Sequence, residues 1–124
     1  MSKPKDRRSR RRLPEELENV RAGIWPAKLR VTWSRHSIDR LVERLEPYGL
    51  GDQASLEAAL RRKPLRDEPD PTDMSALGGK RHRECREQSR FGTLVIRAIY
   101  SYIEFPTKSE PGLIRIITVY VVQS

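Results

Sequence analysis

The chain has 124 residues, with 25 Lys+Arg against 17 Asp+Glu and a net charge of +8. That length suits one small domain and argues against a multidomain machine or a large cofactor-binding fold. The longest apolar run, Leu94 to Ile103, is interrupted by Arg97, so nothing approaches the ~20 apolar residues of a membrane-spanning helix.

The charge is unevenly placed. Residues 1–12 hold seven basic side chains and one acid, so about three-quarters of the net charge sits in a short arm with no apolar periodicity. That arm is expected to be disordered in isolation, either as a solubilising tail or as a nonspecific phosphate contact through residues such as Arg8 and Arg11. Residues 13–124 are expected to form a single domain with its core over about 28–122. No hydrophobic segment follows the charged start, so no secretory signal is expected. Cys85 is alone and leaves no basis for a disulfide or a zinc finger. A cytoplasmic location is the expectation.

Pro14 followed by Glu15, Glu16 and Glu18 suits a helix start, because proline needs no amide donor there and acids favour the positive end. Gly23 and Pro26 end that helix after about two turns. Leu29, Val31 and Trp33 alternate with Arg30 and Thr32, which predicts a half-exposed strand. Ser34 or Ser37 can cap a helix in which Ile38, Leu41, Val42 and Leu45 form the buried face, closed by Pro47 and Gly49. Asp52 caps a further helix, from Gln53 to Arg62, with Leu56, Ala59 and Leu60 inward and Pro64 as its stop.

Residues 66–80, with Pro69, Pro71, Gly78, Gly79 and several acids, read as a loop. Arg81 to Arg90 reads as a further strand or the approach to one. Thr93 to Phe105 and Leu113 to Val122 are rich in β-branched and aromatic residues and form an antiparallel hairpin. Leu94, Ile96, Ala98, Tyr100 and Tyr102 lie on one side of the first strand, and Val95, Arg97, Ile99, Ser101 and Ile103 on the other. One side can meet the helices, and the other is a second core or a partner surface. The expected fold is α+β, an antiparallel sheet packed against two or three helices.

The familiar phosphate-loop, dinucleotide and zinc-protease motifs are missing, and neither His36 nor His82 has a second ligand at metal spacing. No metal or cofactor is therefore expected. His36 falls at a strand-to-helix junction, where it could act as general acid or base beside a phosphate, or simply fix the turn. Arg40 and Arg44 are four apart and share a helix face, as an anion-binding pair or as a solvated surface balanced by Asp39 and Glu43.

The densest charge, residues 80–90, holds five basic residues and two acids. As a strand it would point Arg81, Arg83 and Cys85 one way and His82, Glu84 and Arg86 the other. Its arginines suit phosphate clamping and transition-state stabilisation, or the protection of a sheet edge. Cys85 reads as a small core residue. Trp25 and Trp33 read as packing anchors, and an exposed strand tyrosine could stack on a base.

The Ser-Arg-His-Ser-Ile-Asp-Arg segment, the amphipathic helix after it, and the late basic stretch leading to Gly-Leu-Ile-Arg-Ile-Ile-Thr-Val-Tyr at residues 112–120 resemble the small RelE-like and BrnT-like toxin ribonucleases. The likeness covers roughly residues 28–122. It implies a RelE-like fold and metal-independent RNA cleavage, usually restrained by a cognate antitoxin. It aligns His36 and Arg40 with the family's opening segment, the Arg81–Arg90 block with its basic sheet, and Arg115, Thr118 and Tyr120 with its closing strand. The basic arm and the 66–80 loop are departures from the pattern.

The leading expectation is a toxin-like ribonuclease. In it His36, or less favourably His82, moves a proton while Arg83, Arg86 or Arg90 stabilises phosphoryl oxygens. Arg40, Arg44, Lys80, Arg81, His82, Arg115 and Tyr120 would bind the nucleic acid. The mechanism needs His36 and at least two arginines of the block in one cleft. The alternatives are a noncatalytic nucleic-acid-binding module and a protein-interaction or accessory domain, in which the hairpin's second apolar side serves a homodimer or another partner.

Overall fold

A computed structural model of the chain describes residues 13–73, 75 and 77–123. The basic arm, with Arg8 and Arg11, lies outside the described residues. Among the described residues three α-helices, α1 (Glu15–Arg21), α2 (Arg35–Leu45) and α3 (Gln53–Arg61), accompany five strands. The strands are β1 (Arg30–Trp33), β2 (Arg66–Pro69), β3 (Arg81–Ser89), β4 (Gly92–Glu104) and β5 (Leu113–Gln123). They form one sheet in the order β1-β5-β4-β3-β2. Among the described residues no helix is long and apolar enough to cross a membrane.

The β4–β5 hairpin is antiparallel as its pattern predicts. The sheet as a whole is mixed, however, because the first strand pairs in parallel with the last, Val31 opposite Ile114 and Trp33 opposite Ile116. A parallel neighbour so distant in sequence leaves no turn signal between the two segments, so the local pattern could not show it.

The segment 66–80 is likewise not wholly a loop. Arg66–Pro69 pairs antiparallel with β3, which makes β2 the edge strand and leaves β3 inside the sheet rather than at its rim. A tetrapeptide of Arg, Asp, Glu and Pro has little strand propensity of its own. Its partner supplies the structure.

The helix caps follow their residues. Ser34 Oγ accepts from the Ser37 amide at 3.0 Å, and Asp52 Oδ2 accepts from the Ser55 amide at 3.0 Å. After α2 a short 3-10 turn, Glu46–Tyr48, ends on Gly49 at φ 81°, where glycine carries no steric penalty.

The buried face of α2 is narrower than its apolar stripe suggests. Leu41 and Leu45 are buried, but Ile38 and Val42 are 38% and 49% exposed. This helix lies over β5, near the margin of the sheet, so only the strip carrying Ser37, Leu41 and Leu45 meets the core. Those leucines cluster with Leu56 and Leu60 of α3, Val20 of α1, and Ile96, Tyr100, Ile114 and Ile116 of the sheet. Each full leucine burial contributes about 1.5–3 kcal/mol.

Among the described residues no helix covers the other sheet face, where Val95, Ile99 and Thr118 are half-buried and Ile103 is exposed. The β4–β5 pairing slips between Ile99 and Tyr100: Tyr100 faces Ile116, whereas Ile99 faces Thr118, so Ile117 is the extra residue of a bulge. An extra residue reverses the alternation. Before it Ile114 and Ile116 are buried; after it Val119 is, and Thr118 and Tyr120 turn to the uncovered face.

Candidate nucleic-acid interface at the α2–β5 margin

Ser34 is the joint that aims α2. Its amide donates to Ile116 O (3.0 Å) and its hydroxyl to Ile117 O (3.2 Å), while the same side chain caps the helix. The helix therefore starts against the β5 bulge. His36, Arg40 and Arg44 follow at intervals of four, the spacing that aligns side chains in one row along a helix.

That row borders the part of β5 that β1 does not pair. Arg44 reaches the free edge, with Nη1 donating to Val119 O at 3.1 Å and its guanidinium carbon 6.0 Å from the Tyr120 ring centroid. From the other side Arg97 Nη1 donates to the Tyr120 hydroxyl at 2.9 Å, with its guanidinium carbon 5.5 Å from the ring centroid. Tyr120 thus has a cation on each side, within the range of attraction to an aromatic quadrupole.

Glu84 accepts from Arg97 Nε (2.8 Å) and pairs with its Nη2 (2.6 Å). Partial burial opposes the Arg97 charge, but Glu84 and Tyr120 outweigh it and raise the guanidinium pKa above its ordinary value. Arg40 is ion-paired with Glu43, whose side chain is 61% exposed. Such a surface pair is worth little and opens readily to a competing anion. Arg44 and Arg115 are exposed and make no ion pair among the described residues.

Two orphaned atoms lie on the elements of this margin. Arg40 Nε on α2 and Thr118 Oγ1 on β5 are buried without a hydrogen-bond partner. Buried polar atoms are nearly always paired, so each fits completion by a ligand or ordered water.

The 80–90 block takes a different course. Its alternation is as expected, with Arg81, Arg83 and Cys85 toward the helices and His82, Glu84 and Arg86 on the uncovered face. But Arg81 and Arg83, expected to meet phosphate, are only 3% and 2% exposed. Arg83 Nε donates to Leu60 O (2.6 Å), Nη1 to Gly23 O (2.7 Å) and Asp67 Oδ2 (2.8 Å), and Nη2 to Arg62 O (3.2 Å). Arg81 Nε donates to Asp67 Oδ1 at 2.7 Å and Nη2 to Arg21 O at 3.1 Å. Burial opposes the Arg81 charge, but Asp67 outweighs it and holds the pKa above its ordinary value.

The Tyr100 hydroxyl also donates to Asp67 Oδ2, at 2.5 Å, and accepts from Trp25 Nε1 at 3.1 Å. Burial and then the Asp67 charge raise the Tyr100 pKa, so it stays a neutral donor. These two arginines hold the fold rather than RNA.

The remaining block residues scatter. Lys80 and Arg86 are exposed. Arg90 lies by the 3-10 turn, its amide donating to Tyr48 O at 3.4 Å, in a groove with Val42, Glu46 and Pro47. That is about 15 Å along the helix from His36, at 1.5 Å per residue. β3 itself stands three strand spacings, about 14 Å, from the β1 end that leads into His36. His36 and the 80–90 arginines do not converge.

His82 Nε2 stands 3.2 Å from Asp70 Oδ2 but is misaligned for a hydrogen bond. Hydrogen bonds from the Thr72 hydroxyl and amide hold the Asp70 carboxyl down at about 2. Cys85 is a buried core residue, its thiol pushed up to about 11 by burial. Trp25 and Trp33 pack against the core, the latter donating to Glu57 Oε1 at 2.9 Å. No group of His, Cys, Asp or Glu among the described residues is arranged to hold a metal.

Sequence reasoning overlooked Asp67, hidden in a segment taken for a loop, and Arg97. The latter had a signal: it is the one charge interrupting the longest apolar run. Comparison with protein-family models, curated proteins and solved structures finds no match for this chain.

Proposed function

We propose that this protein is a toxin-like ribonuclease that binds RNA along the α2–β5 margin and cleaves it without a metal. The observation that carries the reading is the His36–Arg40–Arg44 row ending on Tyr120, with Arg40 Nε in it left unpartnered. Arg40 and Arg44 take the role of phosphate ligands that the 80–90 arginines were expected to fill. Tyr120 offers a base-stacking face between two guanidiniums.

In the reaction the ribose 2′-oxygen attacks the adjacent phosphorus and the bond to the 5′-oxygen breaks, leaving a 2′,3′-cyclic phosphate. His36 accepts the 2′-hydroxyl proton, a solvent proton goes to the departing 5′-oxygen, and Arg40 and Arg44 stabilise the charge on the nonbridging oxygens. The resemblance to RelE-like and BrnT-like toxins supports this reading, and with it a RelE-like fold, a cytoplasmic setting and an antitoxin-like partner covering the margin.

A second reading, RNA held without cleavage, gains from the exposure of His36, whose ring has no hydrogen bond to orient it among the described residues. Incubation of labelled RNA with the full chain and a chelator separates the two. Chelator-resistant cleavage should fall by about 100-fold or more in His36→Ala, while RNA affinity stays within a few-fold. Arg40→Ala/Arg44→Ala should weaken RNA binding itself and flatten its salt dependence. Tight binding with intact RNA would leave only the binding module, and unchanged affinity in the double arginine variant would remove the site.

A further inference from the structure

On the helix-bearing side of the sheet, at the end of α3 and beside β2, a cleft of about 450 Å³ opens between the α1–β1 linker and the segment 61–67. It is separate from the α2–β5 margin by the width of three strand spacings. Its volume falls within the range of small-molecule sites, and its composition has their usual form, apolar walls with a few aimed polar groups.

The walls are Ile24, Trp25, Pro64 and Leu65, with Ile24 54% and Leu65 44% exposed. The rim carries Arg62 and Lys63, while the Arg66 side chain alternates with Asp67 and turns with Glu68 to the uncovered face. Arg62, well exposed, meets the half-buried Glu87 only at 3.7 Å. Lys63 has no ion pair among the described residues. Two cations at one mouth thus have capacity for an anion.

Arg83 contributes to the lining from below, its guanidinium carbon 3.9 Å from the Trp25 ring centroid. Four of its hydrogen bonds are made, through Nε, both directions of Nη1, and Nη2. A guanidinium has five N–H donors, so one Nη2 hydrogen remains on a side chain that is 2% exposed. The only carboxylate in the lining among the described residues, Asp67, is already matched by Arg81 and Arg83.

We infer that this cleft binds a nucleoside phosphate, with the base against Trp25 and Leu65, the phosphates on Arg62 and Lys63, and an acceptor atom on the remaining Arg83 hydrogen. The planar indole and aliphatic walls suit a base, and the mixed guanidinium and ammonium rim suits a phosphate chain. The inference does not depend on the ribonuclease reading.

The protein supplies its own reporter. It has two tryptophans, so Trp33→Phe leaves Trp25, in the cleft, as the single indole. In that background, titration with adenosine diphosphate should give a saturable change in Trp25 fluorescence. Adenosine and inorganic phosphate, each carrying half of the recognition, should bind at least ~10-fold more weakly. Arg62→Ala and Lys63→Ala, each made singly, should weaken the diphosphate by about 10-fold, the scale of a lost charge-assisted contact.

Arg40→Ala/Arg44→Ala should leave the titration unchanged. The absence of saturation, equal binding by the rim variants, or loss of the signal in the α2 variant would each overturn the inference. Because the last variant is also the one that removes RNA binding, failure of either site is recognised separately.

Discussion

Two arginine pairs in this protein have opposite surroundings. Arg81 and Arg83 on β3 are buried around one carboxylate, Asp67, and their donors meet carbonyls from α1, the α1–β1 linker and the end of α3. Arg40 and Arg44 on α2 border solvent at the β5 margin, one with an orphaned Nε and the other reaching a single edge carbonyl. A matched buried cation ties segments together. A cation with capacity left over is available to a ligand. The comparison teaches that charge density along the sequence marks neither role; the number of partners the fold supplies does.

The sharpest way to break this comparison is at Asp67. Asp67→Ala leaves two guanidiniums buried without their counter-charge and should cost about 3–5 kcal/mol of stability, read as a lowered denaturant midpoint. Arg40→Ala removes only a surface pair and should change stability by less than about 1 kcal/mol. If the two variants lost similar stability, the division into structural and available arginines would fail.

Tyr100→Phe is a smaller perturbation of the same network. It removes the hydroxyl shared by Asp67 and Trp25, and denaturation should show a loss of about 1–2 kcal/mol. The corresponding change at the margin, Tyr120→Phe, deletes only the acceptor for Arg97, a cation that Glu84 already pairs. Its expected cost is within ~0.5 kcal/mol.

The smallest effect is at the turn after β2. Thr72 donates to Asp70 through both its amide and its hydroxyl, and the Asp70 pKa is lowered from 3.8 to about 2. A carboxyl depressed on folding stabilises the folded state above its unfolded pKa and loses that contribution as pH falls through the folded one. Amide exchange at Thr72 should therefore be slow above pH 3.8, after correction for intrinsic rates. Its protection should fall between 3.8 and about 2. The β5 margin amides should not follow it. Cys85 provides a control throughout, since a buried thiol raised to about 11 should resist alkylation near neutral pH until the chain unfolds.

Much of the local structure was legible because it depends on neighbours in sequence. Ser34 and Asp52 are caps by their own chemistry, and the alternation along β4 separates a buried side from a half-buried one whatever the rest of the chain does. The same holds for the shared face of Arg40 and Arg44, which needs only helical periodicity.

What escaped was nonlocal. Nothing in Arg-Asp-Glu-Pro announces a strand, and nothing in residues 80–90 says which arginines are buried. Both depend on Asp67 and Arg83 standing opposite one another across β2 and β3, 16 residues apart. The parallel contact of β1 with β5 is of the same kind.

The opening charge of +8 ends divided by role. The sequence alone determined that most of it lies in residues 1–12 and that a second concentration lies at 80–90, because those are counts. It also determined the shared helix face of Arg40 and Arg44, because four-residue spacing is a property of the backbone. Only the tertiary structure decided that Arg81 and Arg83 are held inside the protein by Asp67 and backbone carbonyls while Arg40 and Arg44 stay at its margin. Burial makes a charge costly unless a partner is supplied, and partners come from parts of the chain that meet only when it folds.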